Sequence, residues 1–239
     1  MHTQVYISAV LCFAASAFAG NLPSFIQPCS KSDPNLNQCI QKAIEVAGSK
    51  FAKGIPELGI APLDPMELGT VDVENPALNL VFTDTVVTGL GDFRVNSFKI
   101  NTETGKAVFD FTANVTLSAN YNMDGQVLIL SIKGDGQAKI IITNLNIVIK
   151  YDYETKDGHW VVTKYKDNYK MDKAQFKFTN LFGGKNKELA DTTLAFINES
   201  WEIIMQDVSP KSLKKITKRN VEEIKKFFAA FPAMELMLP

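Results

Sequence analysis

The sequence predicts an α+β fold in which a long hydrophobic C-terminal helix is wrapped by a strongly curved antiparallel β-sheet. Three observations carry that expectation. Between Thr70 and Thr179 apolar residues recur at every second position, as in strands with one dry and one wet face. Between Leu189 and Val208 the spacing lengthens to three to five residues, which lines up one face of a helix. Phe196 and Ile203 widen that apolar stripe, and a helix so apolar needs neighbours on several sides.

The 239 residues suffice for one large domain. Apolar residues make up 46% and charged ones 21%, values of ordinary globular chains rather than of disordered or collagen-like ones. With 25 basic against 26 acidic side chains the net charge is −1, so the concentrated basic surface that nucleic acid requires is not expected.

Residues 5–19 form a short apolar run that ends in Ala17-Phe18-Ala19, the small-x-small pattern of a signal-peptidase site. The expected organisation is a signal peptide over 1–19 and one secreted domain over 20–239, without stable membrane insertion and with a monomer favoured. Cys12 falls in the leader, which leaves Cys29 and Cys39. A pair so spaced in an oxidising compartment predicts a disulfide.

Leu36 to Lys53 reads as a first helix, with Ile40, Ala43, Ile44, Ala47 and Phe51 along one side. Pro56, Gly59, Pro62 and Pro65 mark a loop, and Asp64-Pro65-Met66-Glu67-Leu68 offers a capped helical turn. The alternation is cleanest from Ala107 to Ser118, where Phe109, Phe111, Ala113, Val115 and Leu117 share the dry face. Strands are expected over 77–88, 92–101, 107–119, 126–133, 136–151, 159–167 and 171–179. Gly105, Asn122–Gly125, Lys133–Gly136 and Lys156–Gly158 supply the residues of the turns between them, and Gly89-Leu90-Gly91 a turn or bulge. Strands this long with one dry face must curl around something, and the apolar helix is the available partner. Ser209-Pro210 is expected to restart or kink that helix. The apolar tail from Met234 to Pro239 is expected to dock back onto the body.

Little in the chain points to catalysis. Beyond the leader the one histidine is His159, in a turn, and no G-x-S-x-G, H-E-x-x-H, P-loop or G-x-G-x-x-G motif occurs. Two cysteines and a distant histidine do not complete a zinc shell. No catalytic residue, metal or cofactor is therefore expected. Asn114-Val115-Thr116 and Asn198-Glu199-Ser200 are glycosylation sequons. Asn114 lies on a polar strand face and is the expected glycan site, whereas Asn198 sits in the helix expected to be enclosed. The lysines and arginine between Lys211 and Lys226 read as a solvated helix face with Glu222 and Glu223 interspersed. The 16 phenylalanines leave two interiors open, a filled core and an apolar void able to take an apolar ligand.

Leu181-Phe182-Gly183-Gly184, Asn186 to Asp191 and Asn198-Glu199-Ser200-Trp201 resemble the hallmark of the insect juvenile-hormone-binding and takeout family. Pro62-Leu63-Asp64-Pro65, Gly89-Leu90, the early cysteine pair and the closing Phe231-Pro232 are also similar to that family. The takeout members are the nearer match, because dedicated hormone carriers have a second disulfide and no cysteine remains here to form one. The resemblance implies the tubular lipid-binding (TULIP-like) fold and a hydrophobic tunnel for a terpenoid or other long lipophilic ligand. The tunnel lining is then expected among Phe109, Phe111, Val115, Leu117, Ile140, Ile142, Phe176, Phe178, Ile197 and Trp201, with Tyr121 as a polar partner and a terminal helix as gate. The other readings are a secreted interaction protein whose lipid is structural, and a lipid-ester hydrolase.

Overall fold

The computed structural model describes residues 22–239. The expected signal peptide over 1–19, with Cys12, lies outside the described residues. Seven antiparallel strands form the main sheet in the order β2-β3-β5-β6-β7, with β4 also paired to β5 and β8 to β6. They are β2 (Met66–Asn75), β3 (Leu78–Thr88), β4 (Arg94–Asn101), β5 (Lys106–Val127), β6 (Leu130–Lys156), β7 (His159–Lys170) and β8 (Lys173–Phe178). Helix α1 (Leu36–Phe51) precedes the sheet, and α2 (Lys187–Glu199) and α3 (Trp201–Ala230) follow it.

The backbone of the sheet is the β5–β6 ribbon, whose strands run for 22 and 27 residues. Straight, they would reach roughly 70–90 Å at about 3.3 Å per residue, so they must bend. The bend is built at Asn114, which faces the two residues Thr143 and Asn144 of β6 in a bulge. Asn144 takes a φ of 49° there, and its N–H donates to Asn114 Oδ1 at 2.8 Å. The sequence parity records the extra residue. Buried positions on β6 are even up to Ile142 and odd from Leu145 onward.

The outer strands change at the same level. β4 pairs with β5 over residues 106–112 and β3 pairs with it over 116–125. Likewise β8 covers residues 138–143 of β6, and β7 covers 146–156. Two half-sheets thus share one ribbon, joined at a waist.

Two expected turns are absent. Asn122–Gly125 and Lys133–Gly136 lie inside β5 and β6, and the chain reverses at Leu128-Ile129. The glycines that suggested turns serve close approach instead. A Cβ on Gly134 would stand 2.6 Å from the Tyr121 hydroxyl, and one on Gly136 would stand 2.7 Å from Thr179 Oγ1. The expected helical turn at Asp64–Leu68 is also corrected, because Met66 already opens β2. There the Asp64 carboxylate accepts from the N–H groups of Gly89 (3.1 Å) and Gly91 (2.7 Å), which ties the proline-rich loop to the Gly89–Gly91 turn.

The helical layer begins at Asn186, whose side chain accepts from the Leu189 N–H at 3.0 Å and caps α2. The helix breaks at Ser200 rather than at Ser209-Pro210, which lies within α3. Buried Ser209 turns its hydroxyl onto the Met205 carbonyl of the preceding turn, a local bond that lets serine sit in a helix interior. Ile197, Ile204, Met205, Val208, Leu213, Ile216 and Val221 fill the trough of the sheet, while Leu189 and Ile203 face solvent. The helix is therefore enclosed on its inner sides only. Glu223 departs from the expected solvated face and is fully buried. It accepts from the Ala61 N–H at 3.0 Å and pairs with Arg219 and Lys226.

Cys29 and Cys39 form the disulfide, with Cα atoms 6.0 Å apart. The tail docks as expected, for β9 (Met237–Leu238) lies parallel to β1 (Cys29–Ser30). The short α4 (Ala233–Leu236) leads into it.

Candidate functional site

The half-sheet formed by β4, β7 and the adjoining parts of β5 and β6 does not close on itself. Beneath α1 it leaves a cavity of about 320 Å³, within the usual range of roughly 300–1,000 Å³ for small-molecule sites. The walls follow from strand parity. Phe98 and Ile100 come from β4, Ala107, Phe109 and Phe111 from β5, Ile149, Tyr151 and Tyr153 from β6, and Trp160 and Val162 from β7. The roof is the apolar face of α1, where Ala43, Ala47 and Gly48 are small enough to leave space below. A Cβ on Gly48 would come within 2.3 Å of the Phe93 ring, so glycine is what allows that ring under the helix. Ile224, Phe227 and Phe228 of α3 close one end, and Leu236 and Met237 of the tail reach the rim together with Ile26 and Cys29.

Aromatic rings organise the wall. Phe109 and Phe111 stack at 4.8 Å between centroids, and Phe93 meets both edge-on at 6.0 and 5.7 Å. Trp160 meets Tyr153 at 5.7 Å and Phe228 at 5.4 Å. Among the described residues the lining contains no charged side chain. Its hydroxyls are those of Tyr151 and Tyr153, both buried without a hydrogen-bond partner. Burial raises both phenols above their ordinary value, and for Tyr151 the nearby Asp167 adds to the effect. They remain protonated donors at physiological pH. A buried donor left unpaired costs stability, and both of these belong to residues that line the cavity.

The other half-sheet is closed. Only about 20 Å³ remains among Leu80, Phe82, Met123, Ile140, Phe176, Phe178, Ile197 and Ile204. The expected lining residues divide between the halves. Phe109 and Phe111 line the large cavity, whereas Ile140, Phe176, Phe178 and Ile197 surround the small void. Val115, Leu117 and Ile142 are buried around the waist and beyond it, and Trp201 packs half-buried at the start of α3. Tyr121 donates its hydroxyl to the Thr179 carbonyl at 2.7 Å, so its polar end is committed within the protein. Burial and the neighbouring Asp135 push its pKa up to about 12.

The residues that sequence reasoning left out of the site are Phe93, Phe98, Tyr151, Tyr153, Trp160 and the α1 face. Their signal was present. The odd-position alternation of Ile147, Ile149 and Tyr151 runs on to Tyr153, two residues past the expected end of that strand. His159 opens β7, just past the expected turn, with Nδ1 3.0 Å from the Asp157 carbonyl. Among the described residues no cluster of three or more His, Cys, Asp or Glu side chains could hold a metal ion.

The two sequons differ in their surroundings. Asn114 is exposed, with its Oδ1 at the β-bulge. The Asn198 amide instead spans α2 and the edge strand β8. It accepts from the Phe176 N–H at 2.7 Å and donates to the Phe176 and Leu194 carbonyls at 3.0 and 2.9 Å.

Comparison with known proteins agrees with this architecture. The chain is similar to Epiphyas postvittana Takeout 1, whose crystal structure superposes with a TM-score of 0.84 at 28% identity, over 90% of this chain and 100% of that one. It is 29% identical over 206 residues to the circadian clock-controlled protein daywake of Drosophila melanogaster, covering 79% of this chain and 78% of the relative. It is 27% identical over 140 residues to the juvenile hormone-binding protein of Manduca sexta, covering 56% and 57%. The family model for haemolymph juvenile hormone binding protein matches residues 7–238. A curved open sheet around a long C-terminal helix, with the matching relatives, makes this chain a member of the haemolymph juvenile hormone binding protein family.

Proposed function

We propose that the protein is a secreted, non-catalytic carrier that holds one neutral, oxygen-bearing lipid of terpenoid or medium acyl length in the cavity beneath α1. The observation that carries this reading is the pairing of an apolar cavity of about 320 Å³ with two unpartnered phenols, Tyr151 and Tyr153, in its wall. The ligand's apolar body leaves water at roughly 25 cal/mol per Å², and an ester, ketone or hydroxyl oxygen takes the phenol hydrogens. A free carboxylate fits poorly, since no cation lines the cavity and burying an unpaired charge is costly. Secretion is supported by the leader-like run over 5–19 and by the Cys29–Cys39 disulfide, a bond of oxidising compartments. Exposed Asn114 is the glycan site of this reading.

The test uses residues 20–239 from a secretory host, freed of bound lipid by extraction. Native mass spectrometry with methyl farnesoate and with the parent farnesoic acid is expected to give a one-to-one adduct with the ester, held at least tenfold more tightly than the acid. Ala47→Phe, which places a ring in the cavity roof, should abolish the adduct while the melting transition persists. No uptake of either probe by a folded protein would overturn the carrier reading.

A further inference from the structure

The tip of the β5–β6 ribbon breaks a rule that the rest of the sheet obeys. Val127, Leu128, Ile129 and Leu130 are four consecutive apolar residues, and none of them is buried. Ile129 is 78% exposed and Leu128 is 37% exposed. The reversal uses two central residues, Leu128 and Ile129, and Leu128 carries a φ of 54°. Hairpin turns with positive φ at the first central position favour glycine there and a small polar residue beside it. A branched aliphatic pair is a poor solution both for the turn and for solubility, and exposed apolar runs of this length are errors unless they are used.

The tip also stands clear of its neighbours. β3 accompanies β5 only as far as Gly125. β8 reaches β6 only at Ala138, and the last contact beyond it is the bridge from Gly134 to Leu181. Beyond them Gln126 still donates its N–H to the Ala77 carbonyl at 2.8 Å, and the strand pairing of Val127 is with Leu130 alone. From Gly125 to Ile132 the prong carries no charged side chain, and at its base Lys133 pairs with Asp124 at 2.9 Å with Asp135 beside it.

We infer that the Leu128–Ile129 prong is a docking point that dips into the apolar layer of a neutral lipid surface. The area decides the class of partner. Two side chains are far from the roughly 800 Å² per partner that a stable protein interface buries, whereas a bilayer has no minimum footprint and each inserted side chain adds independently. The uncharged prong fits zwitterionic headgroups. The contact is shallow, since the apolar run at the tip is only the four residues from Val127 to Leu130. At the root of the prong Val127 joins Leu78, Met123 and Phe178 around the small void, so the docked face is the packed half and the cavity half points away. The inference does not depend on the cargo, and the test omits any.

Residues 20–239, extracted free of lipid, are sedimented with phosphatidylcholine vesicles beside the double variant Leu128→Gly, Ile129→Asn. That variant gives the turn the residues it favours, so its melting temperature should hold or rise. Its vesicle partition constant should fall by about tenfold, the scale expected when large aliphatic side chains lose their burial. Equal binding by both proteins, or none by the parent, overturns the proposal. So does self-association of the parent in the absence of vesicles that the variant lacks, which would make the prong a contact between copies.

Discussion

The two halves of the sheet are built from the same pair of strands, yet one is packed solid and the other encloses a cavity. Around the small void, α2 and the first half of α3 push Ile197, Ile204 and Val208 directly between Phe82, Ile140 and Phe176. Around the large cavity the roof is α1, which presents Ala43, Ala47 and Gly48 between Ile40, Ile44 and Phe51. The walls are if anything bulkier on the open side, with Phe98, Phe109, Phe111 and Trp160. The open interior goes with small residues on its helix rather than with small residues on its walls.

The largest effect should come from removing a wall residue on each side. Phe82 is 2% exposed, and Phe82→Ala should cost about 3–5 kcal/mol because its surroundings cannot collapse into the space. Phe109→Ala enlarges a space that already exists and should cost less than about 2 kcal/mol. Urea denaturation of both variants checks the contrast, and equal losses would mean that the cavity wall is as tightly packed as the closed half.

A smaller effect sharpens the account of the packed side. Asn198→Ala leaves the Phe176 N–H and carbonyl without the amide that bridges them to α2, for an expected loss of about 1–3 kcal/mol. In protein made in a secretory host the glycan mass should not change if, as proposed, the glycan is carried by exposed Asn114.

The smallest effect tests the open side. Tyr151→Phe removes an unpartnered hydroxyl and should stabilise the empty protein by about 1 kcal/mol, while weakening affinity for the ester. The sign of its pH dependence is fixed. A phenol whose pKa is raised in the fold favours the folded state below its ordinary value of 10.0 and loses that contribution as pH climbs above it. Melting temperature should therefore fall more steeply above pH 10 in the parent than in Tyr151→Phe.

Much of this was legible in the sequence, and its limits have physical causes. Strand alternation, the α1 face, the disulfide and the docking of the tail all rest on periodicity or local chemistry, which one chain displays directly. The turns at Asn122–Gly125 and Lys133–Gly136 were misread because glycine has two uses. It tolerates positive φ, and it also admits a neighbour, here the Tyr121 hydroxyl and Thr179. A single sequence does not say which. The waist was invisible for a related reason, since the parity change between Ile142 and Leu145 acquires meaning only when the partner strand is known. The polar end of the site was assigned to Tyr121 rather than to Tyr151 and Tyr153 because all three lie on dry faces, and only the Thr179 carbonyl distinguishes them.

The bulge at Asn114 and Asn144 acts as a bulkhead in a hull. Each long strand passes through it unbroken, but its neighbours are exchanged there, so the compartments on either side have separate walls and separate lids. Substitutions on α1 then change the calibre of one compartment without refitting the other around Phe82 and Phe176. One extra residue is what lets a single ribbon wall an open compartment and a packed one.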